Sequence, residues 1–388
     1  MVNQVIWCML RKGIYMNSNT KDKRSNGGTD NSKPKKSKIR IVIRVLCFIL
    51  CAVLGLGLGA FIYVYRLMGA VGFVNTPFVS KDQYETIEFD NLDNVDLNSG
   101  DVASSWAEGG HTRVYVNQKY PIKKVAQKDS KVENILVFGV DSRGTNDVTC
   151  RADAILIVSI DHRTDSLKMI SLMRDTGVKI EGKSATDKLT HSYAYGGVGL
   201  LINTINDNFG LDIQRFVMLD FGSSADVIDM VGGIEIDVTA GEVKYANQGI
   251  LEENALLGKD CPLLTHEGKQ LLNGIQATSW ARIRSLDSDY VRSGRQRTLA
   301  LALMHKVASY GKVDQAALLE DSAGMFETNM TAMDIMRVAL DAIDVLDNVK
   351  EYRAPADGMF RVQDNPWMMI VDWDTQLADL HRFIWEEA

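Results

Sequence analysis

Between residues 133 and 176 the chain supplies three short apolar runs, ENILVFGV, ADAILIVSID and DSLKMISLMRDT, each bounded by a polar turn. Runs of this length, rich in Ile, Val and Leu, read as buried strands. Helical spacing follows in YGGVGLLINTINDNFG, where Leu200, Leu201, Ile205 and Phe209 share one side and Gly210 stands past the end. QRFVMLDF returns to a strand, SSADVIDMVGG to a helix with Ser223 or Ser224 as cap, and IEIDV to a strand. From Thr265 onward HEGKQLLNGIQATSWARI, RQRTLALALMHKVASYG and TAMDIMRVALDAIDVL read as helices, and WMMIVDWD is a last extended piece. Strands alternating with helices predict an α/β sandwich around a largely buried sheet.

Charge is distributed unevenly. Residues 1–44 hold eleven Lys or Arg against two Asp or Glu, whereas the remainder holds thirty-two against forty-eight. The basic tail leads into VLCFILCAVLGLGLGAFIYVY, 21 uncharged residues at 45–65, flanked by Arg40, Arg44 and Arg66. About 20 apolar residues at ~1.5 Å rise span a hydrocarbon core. The positive flank predicts a cytoplasmic amino terminus and an external body. Gly55 and Gly59 form a GxxxG on that span, a pattern found on helix-dimer faces and also common in single spans. Only Cys150 and Cys261 fall in the external part, where a disulfide is chemically permitted and their spacing decides nothing. With 46% hydrophobic and 24% charged residues, general disorder is excluded.

Three strand-end segments share a composition of Arg and Asp: VDSRG with Asp141 and Arg143, CRAD with Arg151 and Asp153, and MRD with Arg174 and Asp175. Strand ends are where α/β proteins place ligands. Guanidinium groups suit phosphate, and carboxylates beside phosphate suit Mg²⁺. A fourth segment, WARIRSLDSDYVRSGRQR at 280–297, has five Arg, two Asp and no Lys. If ARIR is extended, Arg282 and Arg284 point to one side. A helix beginning near Ser293 would put Gly294 and Arg295 in its amide-rich first turn, with Arg292 just ahead and Gln296 alongside. A self-contained network of Arg with Asp287 and Asp289 stands as the alternative to an external anion. KLTHSYAYGG adds Lys188, His191, Tyr193 and Tyr195; a histidine in such an aromatic segment is more often a packing or hydrogen-bonding residue than a catalyst. No GxSxG, Walker A loop, HExxH or GxGxxG stands in its required context, and the glycines of VGLGLG belong to the apolar span. No helix-turn-helix in a basic setting is evident, so a nucleic-acid partner is not expected.

The motifs NILVFGVDSRG, RADAILIVSID, SLMRDT, KLTHSYAYGG, VMLDF with Gly232 and Gly233, and LNGIQATSWARIRSLDSDYVRSGRQR, in that order, resemble the LytR-CpsA-Psr family over residues 133–306. The resemblance implies a three-layer α/β/α sandwich with a central mixed sheet and a deep apolar lipid pocket, preceded here by one transmembrane helix. It implies an extracytoplasmic, cell-membrane transferase that takes a polyprenyl-pyrophosphate-linked glycopolymer and passes it to peptidoglycan, with Mg²⁺ as cofactor. A lipid-phosphate receptor or a lipid pyrophosphatase using the same pocket are the rival functions. The implied metal ligands are Asp141 and Asp153. Arg174, Arg282 and Arg284, with Asp153 and Asp289, carry the chemistry. Arg143, Arg151, Lys188, Arg292, Arg295 and Gln296 hold substrate. Met173, Val291, Trp280 and Val140 depart from the usual pattern, where proline, glycine, tyrosine and a small or polar residue are common, and none removes a charge. The expected organisation is a cytoplasmic tail (1–44), a span (45–66), a stalk or accessory segment (67–130), a catalytic domain (131–310) and a helical extension packed on it (311–388).

Overall fold

The structure is a computed structural model that describes residues 72–87, 91–93, 95, 97, 120–140, 151–284, 286, 288–322 and 324–386, all within one compact unit. The basic tail, the apolar span with Gly55 and Gly59, the loop carrying Asp141 and Arg143, and Cys150 lie outside the described residues. No helix among the described residues is long and apolar enough to cross a membrane.

Seven strands form the central sheet: β1 (Gly72–Phe73), β2 (Val132–Val140), β3 (Ala152–Asp161), β4 (Ser166–Leu172), β5 (Arg215–Asp220), β6 (Glu327–Thr328) and β7 (Val349–Ala354). Their spatial order is β1–β6–β5–β2–β3–β4–β7. β3 is antiparallel to both β2 and β4, whereas β5 runs parallel to β2 and β7 parallel to β4, so the sheet is mixed. The principal helices are α1 (Leu189–Phe209), α2 (Phe221–Met230), α3 (Ala240–Leu257), α4 (Gly274–Ala281), α5 (Asp289–Ala308), α6 (Lys312–Ser322), α7 (Ala332–Asp344) and α8 (Trp373–His381).

Side chains alternate across a strand, and here both faces are apolar. Leu136, Phe138, Ile155, Ile157, Ile170 and Leu172 face one way, against α1 and the carboxy-terminal Leu380 and Ile384. Leu156, Val158, Leu167 and Met169 face the other, against Ala300, Leu301 and Met304 of α5 and Ala342 of α7. Each fully buried Ile or Leu contributes about 1.5–3 kcal/mol. The central strands are therefore the rigid part on which the polar strand ends are mounted.

Two expectations change. HEGKQLLNGIQATSWARI is not one helix: Gly268–Leu272 pairs antiparallel with Ile234–Val238, and Asn273 then opens α4 with a capping box to Gln276. Ile234, Ile236 and Val238 fill a separate small core beneath α3 and α4, and an amphipathic five-residue segment takes the pairing that this core offers. The segment 311–388 is not only helical, because β6 and β7 complete the central sheet and a hairpin, Phe360–Asp364 with Trp367–Val371, follows. The segment 67–130, expected as a stalk or accessory segment, has described parts that pack on the body. Gly72–Phe73 extends the sheet, and Tyr120 and Ile122 are buried in the main core. The fit there is close: a Cβ on Gly199 would stand 1.8 Å from the Tyr120 carbonyl oxygen.

Candidate functional site

Four elements bring charged groups together at one end of the sheet. The first is β3. Gly139 pairs with Ala154 and Val140 with Ala152, which leaves Asp153 as the extra residue of a bulge. A bulge re-aims a side chain, and Asp153 points to the turn after β4. That turn is clamped by three backbone bonds, from Met173 N–H to the Ala354 carbonyl, from Thr190 N–H to the Arg174 carbonyl and from Met369 N–H to the Asp175 carbonyl. The third element is the start of α1, with Lys188 at its N-cap. The fourth is the start of α5, with Ser288 at its N-cap and Asp289 in its first turn, where a carboxylate suits the helix dipole.

Arg174 is the hub. Its Nη1 donates to Asp153 Oδ1 at 2.7 Å and its Nε to Asp289 Oδ2 at 3.2 Å, and Nε lies 3.3 Å from Asp175 Oδ2. Arg284 Nη2 donates to Asp153 Oδ2 at 3.0 Å, Arg292 Nη2 to Asp289 Oδ2 at 3.0 Å, and Lys188 Nζ pairs with Asp175 Oδ1 at 2.7 Å. Burial alone would raise the Asp153 carboxyl; Arg174, Arg284 and Arg292 outweigh it and hold the group below its ordinary value. Burial likewise opposes the charge on Arg174, but Asp153 and Asp289 overcome it and raise that guanidinium above its usual value.

Arg292 is the group left over. It is only 4% exposed, and its Nη1 is buried without a hydrogen-bond partner among the described residues. Burial, followed by repulsion from Arg174, brings its pKa down to about 10. An unsatisfied buried donor costs about 1–3 kcal/mol, more when charged. Such a cost is offset when an anion arrives. Beside these groups opens a cleft of about 500 Å³, with Arg174, Asp175, Lys188 and Asp289 on its polar side and Met173, Trp367 and Met369 on its apolar side.

The structure thus draws Asp153, Arg174, Lys188, Arg284, Asp289 and Arg292 into one constellation. Gln296 is half-buried one turn beyond Arg292 on α5, and Arg151 is near enough to Tyr195 for its charge to act on the phenol. Two expected site arginines have internal work instead. Arg282 caps the end of α4 and donates to Glu253 on α3, so it does not share a side with Arg284. Arg295 is buried and donates to Glu242 at 2.6 Å and to the Ile283 carbonyl. The reason is that α5 begins at Asp289 rather than near Ser293, which moves Arg295 from the first turn into the helix body. His191 Nδ1–H donates to Asp187 at 2.8 Å, which also accepts from the Tyr195 hydroxyl at 2.8 Å, and Tyr193 packs edge-on against Phe138. Tyr290, Trp367 and Met369 line the cleft without having been singled out. Trp367 lies in WMMIVDWD, whose aromatic residue in an otherwise apolar extended run was the available signal. Cys261 carries a free thiol.

For Mg²⁺, Asp153 offers the hard oxygen that the ion prefers. Both of its oxygens accept from guanidinium groups, and its expected companion Asp141 lies outside the described residues. Among the described residues no group of three His, Cys, Asp or Glu is arranged to hold an ion. Asp153 is thus a single candidate ligand among the described residues, with both oxygens engaged by Arg174 and Arg284.

Comparison with known proteins bears on this geometry. The LytR_cpsA_psr family signature matches residues 102–378, which extends beyond the motifs into the carboxy-terminal strands. The polyisoprenyl-teichoic acid–peptidoglycan teichoic acid transferase TagU of Bacillus cereus (strain AH820) is 27% identical over 257 residues, covering 64% of this chain and 77% of TagU. TagU of Bacillus licheniformis is 26% identical over 266 residues, covering 65% of this chain and 79% of the relative. Among solved structures, TagT bound to LIIa-WTA superposes with a TM-score of 0.53 at 21% identity, over 67% of this chain and 92% of TagT. Bacillus subtilis TagV gives 0.53 at 23% identity, over 66% and 97%. These two likenesses speak to the fold alone. Because the signature covers well over half of the sequence, the chain belongs to the LytR_cpsA_psr family.

Proposed function

We propose that the protein is a membrane-anchored transferase that moves a glycopolymer from a polyprenyl-pyrophosphate carrier onto a peptidoglycan hydroxyl. In this reaction the acceptor oxygen bonds to the sugar-linked phosphorus, the bond from that phosphorus to the bridging oxygen breaks, and polyprenyl phosphate leaves. The acceptor proton passes to a carboxylate, and the product is a phosphodiester. The observation that carries the reading is Arg292 Nη1, buried beside Arg174 without a hydrogen-bond partner among the described residues. The names of the TagU relatives supply the substrate class.

Phosphoryl transfer needs charge stabilisation and positioning more than covalent help. Arg174, Arg284 and Arg292 would turn from their carboxylates to the pyrophosphate oxygens. Asp153 is tied through both oxygens, whereas Arg174 and Arg292 both reach Asp289 through Oδ2, so Asp289 is the better proton acceptor. Mg²⁺ bound by Asp153, with Asp141, would supply further neutralisation of the pyrophosphate. The apolar segment 45–66 would hold the body beside the leaflet that carries the lipid, with the amino terminus cytoplasmic and the catalytic domain outside.

The test is reconstitution of the full-length protein in detergent with lipid-linked donor, peptidoglycan and Mg²⁺. Glycan joined covalently to peptidoglycan is expected, with loss on chelation and recovery on Mg²⁺ addition. Saturable lipid binding without product would make the protein a receptor, and released phosphate without attached glycan would make it a pyrophosphatase; either outcome refutes the transferase. Turnover unaffected by chelation would refute the metal.

A further inference from the structure

The carboxy-terminal hairpin reaches into the cleft. Its second strand, Trp367–Val371, is bound to the turn that carries Arg174 and Asp175: Met369 N–H donates to the Asp175 carbonyl at 2.9 Å, and Met369 bridges to Thr176. Met368 and Met369 are buried, whereas Trp367 is 43% exposed and lines the cleft. A large indole is thus held open to solvent two residues from a pinned point, beside charged groups. Lys188 Nζ lies 5.5 Å from the indole centroid and 2.7 Å from Asp175 Oδ1. Asp175 in turn is 3.3 Å from Arg174, so this cluster adjoins the guanidinium groups directly.

We propose that the exposed part of Trp367, with Lys188 over its ring and Asp175 beside Lys188, forms a saccharide subsite that seats a pyranose ring next to the phosphate. A pyranose presents a face of C–H groups, which suits an indole plane, and a rim of hydroxyls, which suits a carboxylate acceptor and an ammonium donor. A mostly apolar wall with a few placed polar groups is how small polar ligands are oriented. The isoprenoid chain is the other ligand to hand, and it fits less well. It would strip water from the Lys188 ammonium without replacing the lost hydrogen bonds. Two rings border the reacting phosphorus, the first sugar of the donor and the sugar bearing the acceptor hydroxyl. Both offer the chemistry that Trp367 recognises. The proposal rests on the transferase reading and gives it a specificity-determining residue from the hairpin.

The experiment compares full-length wild type, Trp367→Ala and Trp367→Phe in detergent, varying donor at saturating acceptor and then acceptor at saturating donor. Trp367→Ala should raise one of the two KM values by about three- to tenfold, with kcat changed less than about twofold, and Trp367→Phe should recover most of the loss. The substrate whose KM moves identifies which sugar is seated. Both KM values within about twofold of wild type, or a loss that tracks the length of the lipid chain at fixed glycan, would overturn the subsite. If wild type makes no product at all, the transferase reading fails by itself. The subsite is then judged by indole emission on separate titrations with soluble peptidoglycan fragments and with the lipid-free donor glycan phosphate. A change in wild type with either ligand that is lost in Trp367→Phe supports it, and no change in wild type with either overturns it.

Discussion

β3 carries an aspartate near each end, and the two ends have opposite electrostatics. At its last residue, Asp161 accepts from Lys168 Nζ at 2.8 Å and from Arg163 Nη2 at 2.7 Å, and Lys168 also donates to the Ile384 carbonyl at 2.8 Å. The side chains of Asp161 and Lys168 are wholly buried. Burial would raise the Asp161 carboxyl, but the bonds from Arg163 and Lys168 prevail and drive it far below the ordinary range. At the other end Asp153 shares Arg174 with Asp289, and among the described residues the cluster has four cations (Arg174, Lys188, Arg284 and Arg292) against three carboxylates (Asp153, Asp175 and Asp289). On the proposed function, the same residue types make a sealed joint where charges match and an anion receptor where, among the described residues, cations exceed carboxylates. The surplus, not the presence of arginine and aspartate, separates function from architecture.

The sealed end should be the more fragile. Lys168→Met leaves Asp161 buried with one cation fewer, and breaking a buried pair costs about 3–5 kcal/mol. Denaturant unfolding should register that loss while transfer per folded molecule stays within about twofold of wild type. Arg295→Met should behave alike, because Glu242 would lose its buried partner. If either substitution removed activity without destabilising the fold, the division into sealed and open ends would fail.

The open end should respond the other way. Arg174→Ala removes the hub, yet Asp153 keeps Arg284 and Asp289 keeps Arg292. Stability should change by less than about 1 kcal/mol, as for partly exposed pairs. Transfer should fall about 10²- to 10³-fold, the usual effect of deleting one preorganised charge donor. Steady-state kinetics on the purified variant decide it, and near-normal turnover would remove Arg174 from the site.

The central strands could be read directly, because ENILVFGV, ADAILIVSID and the core of DSLKMISLMRDT are apolar enough to be buried on both faces. β6 and β7 could not. Glu327–Thr328 is two residues long, and VKEYRA at 349–354 carries three charges, so each is a strand only because a neighbour supplies the pairing. The site divides on similar lines. Arg and Asp at strand ends marked Asp153 and Arg174, and the arginine-rich segment 280–297 marked Arg284, Asp289 and Arg292, but whether an arginine faces the cleft or the interior depends on helix phase. A start at Asp289 instead of Ser293 sends Arg295 inward to Glu242. The bulge at Asp153 is set by its partner strand β2 and leaves no local signal. Trp367 depends on a hairpin docking that only tertiary contacts determine.

Asp187 sharpens the contrast, since it is a matched cluster beside the unmatched one. Burial would raise its carboxyl, but hydrogen bonds from His191 and Tyr195 win and bring it down to about 2. A depressed carboxyl contributes stability above its unfolded value, near 4, and loses it as pH falls toward 2. The loss should amount to about 2 kcal/mol. Asp187→Asn should therefore be less stable than wild type at pH 7, and the two should converge by about pH 2, as urea midpoints across that range would show. A difference independent of pH would mean that the carboxylate charge contributes nothing.

The smallest stability change should have the least expected sign. Arg292 and Arg295 are three residues apart on α5 and equally buried, at 4% exposure each. Arg295 donates to a carboxylate and a carbonyl, whereas Arg292 has an Nη1 without a partner among the described residues and a pKa brought down to about 10 by burial and by Arg174. A cation whose pKa falls on folding destabilises the folded state at every pH below that value, and the penalty fades only as pH rises toward the ordinary arginine range. Arg292→Met should thus raise stability at pH 7, by about 1 kcal/mol after the lost bond to Asp289 is set against the relieved burial. The same variant should bind inorganic pyrophosphate at least about tenfold more weakly, because a charge-assisted donor is gone. Stability and affinity moving in opposite directions at Arg292, and stability falling at Arg295, would locate the anion receptor at the open end of the sheet. A destabilised Arg292→Met with unchanged pyrophosphate binding would show that this guanidinium belongs with the sealed joints.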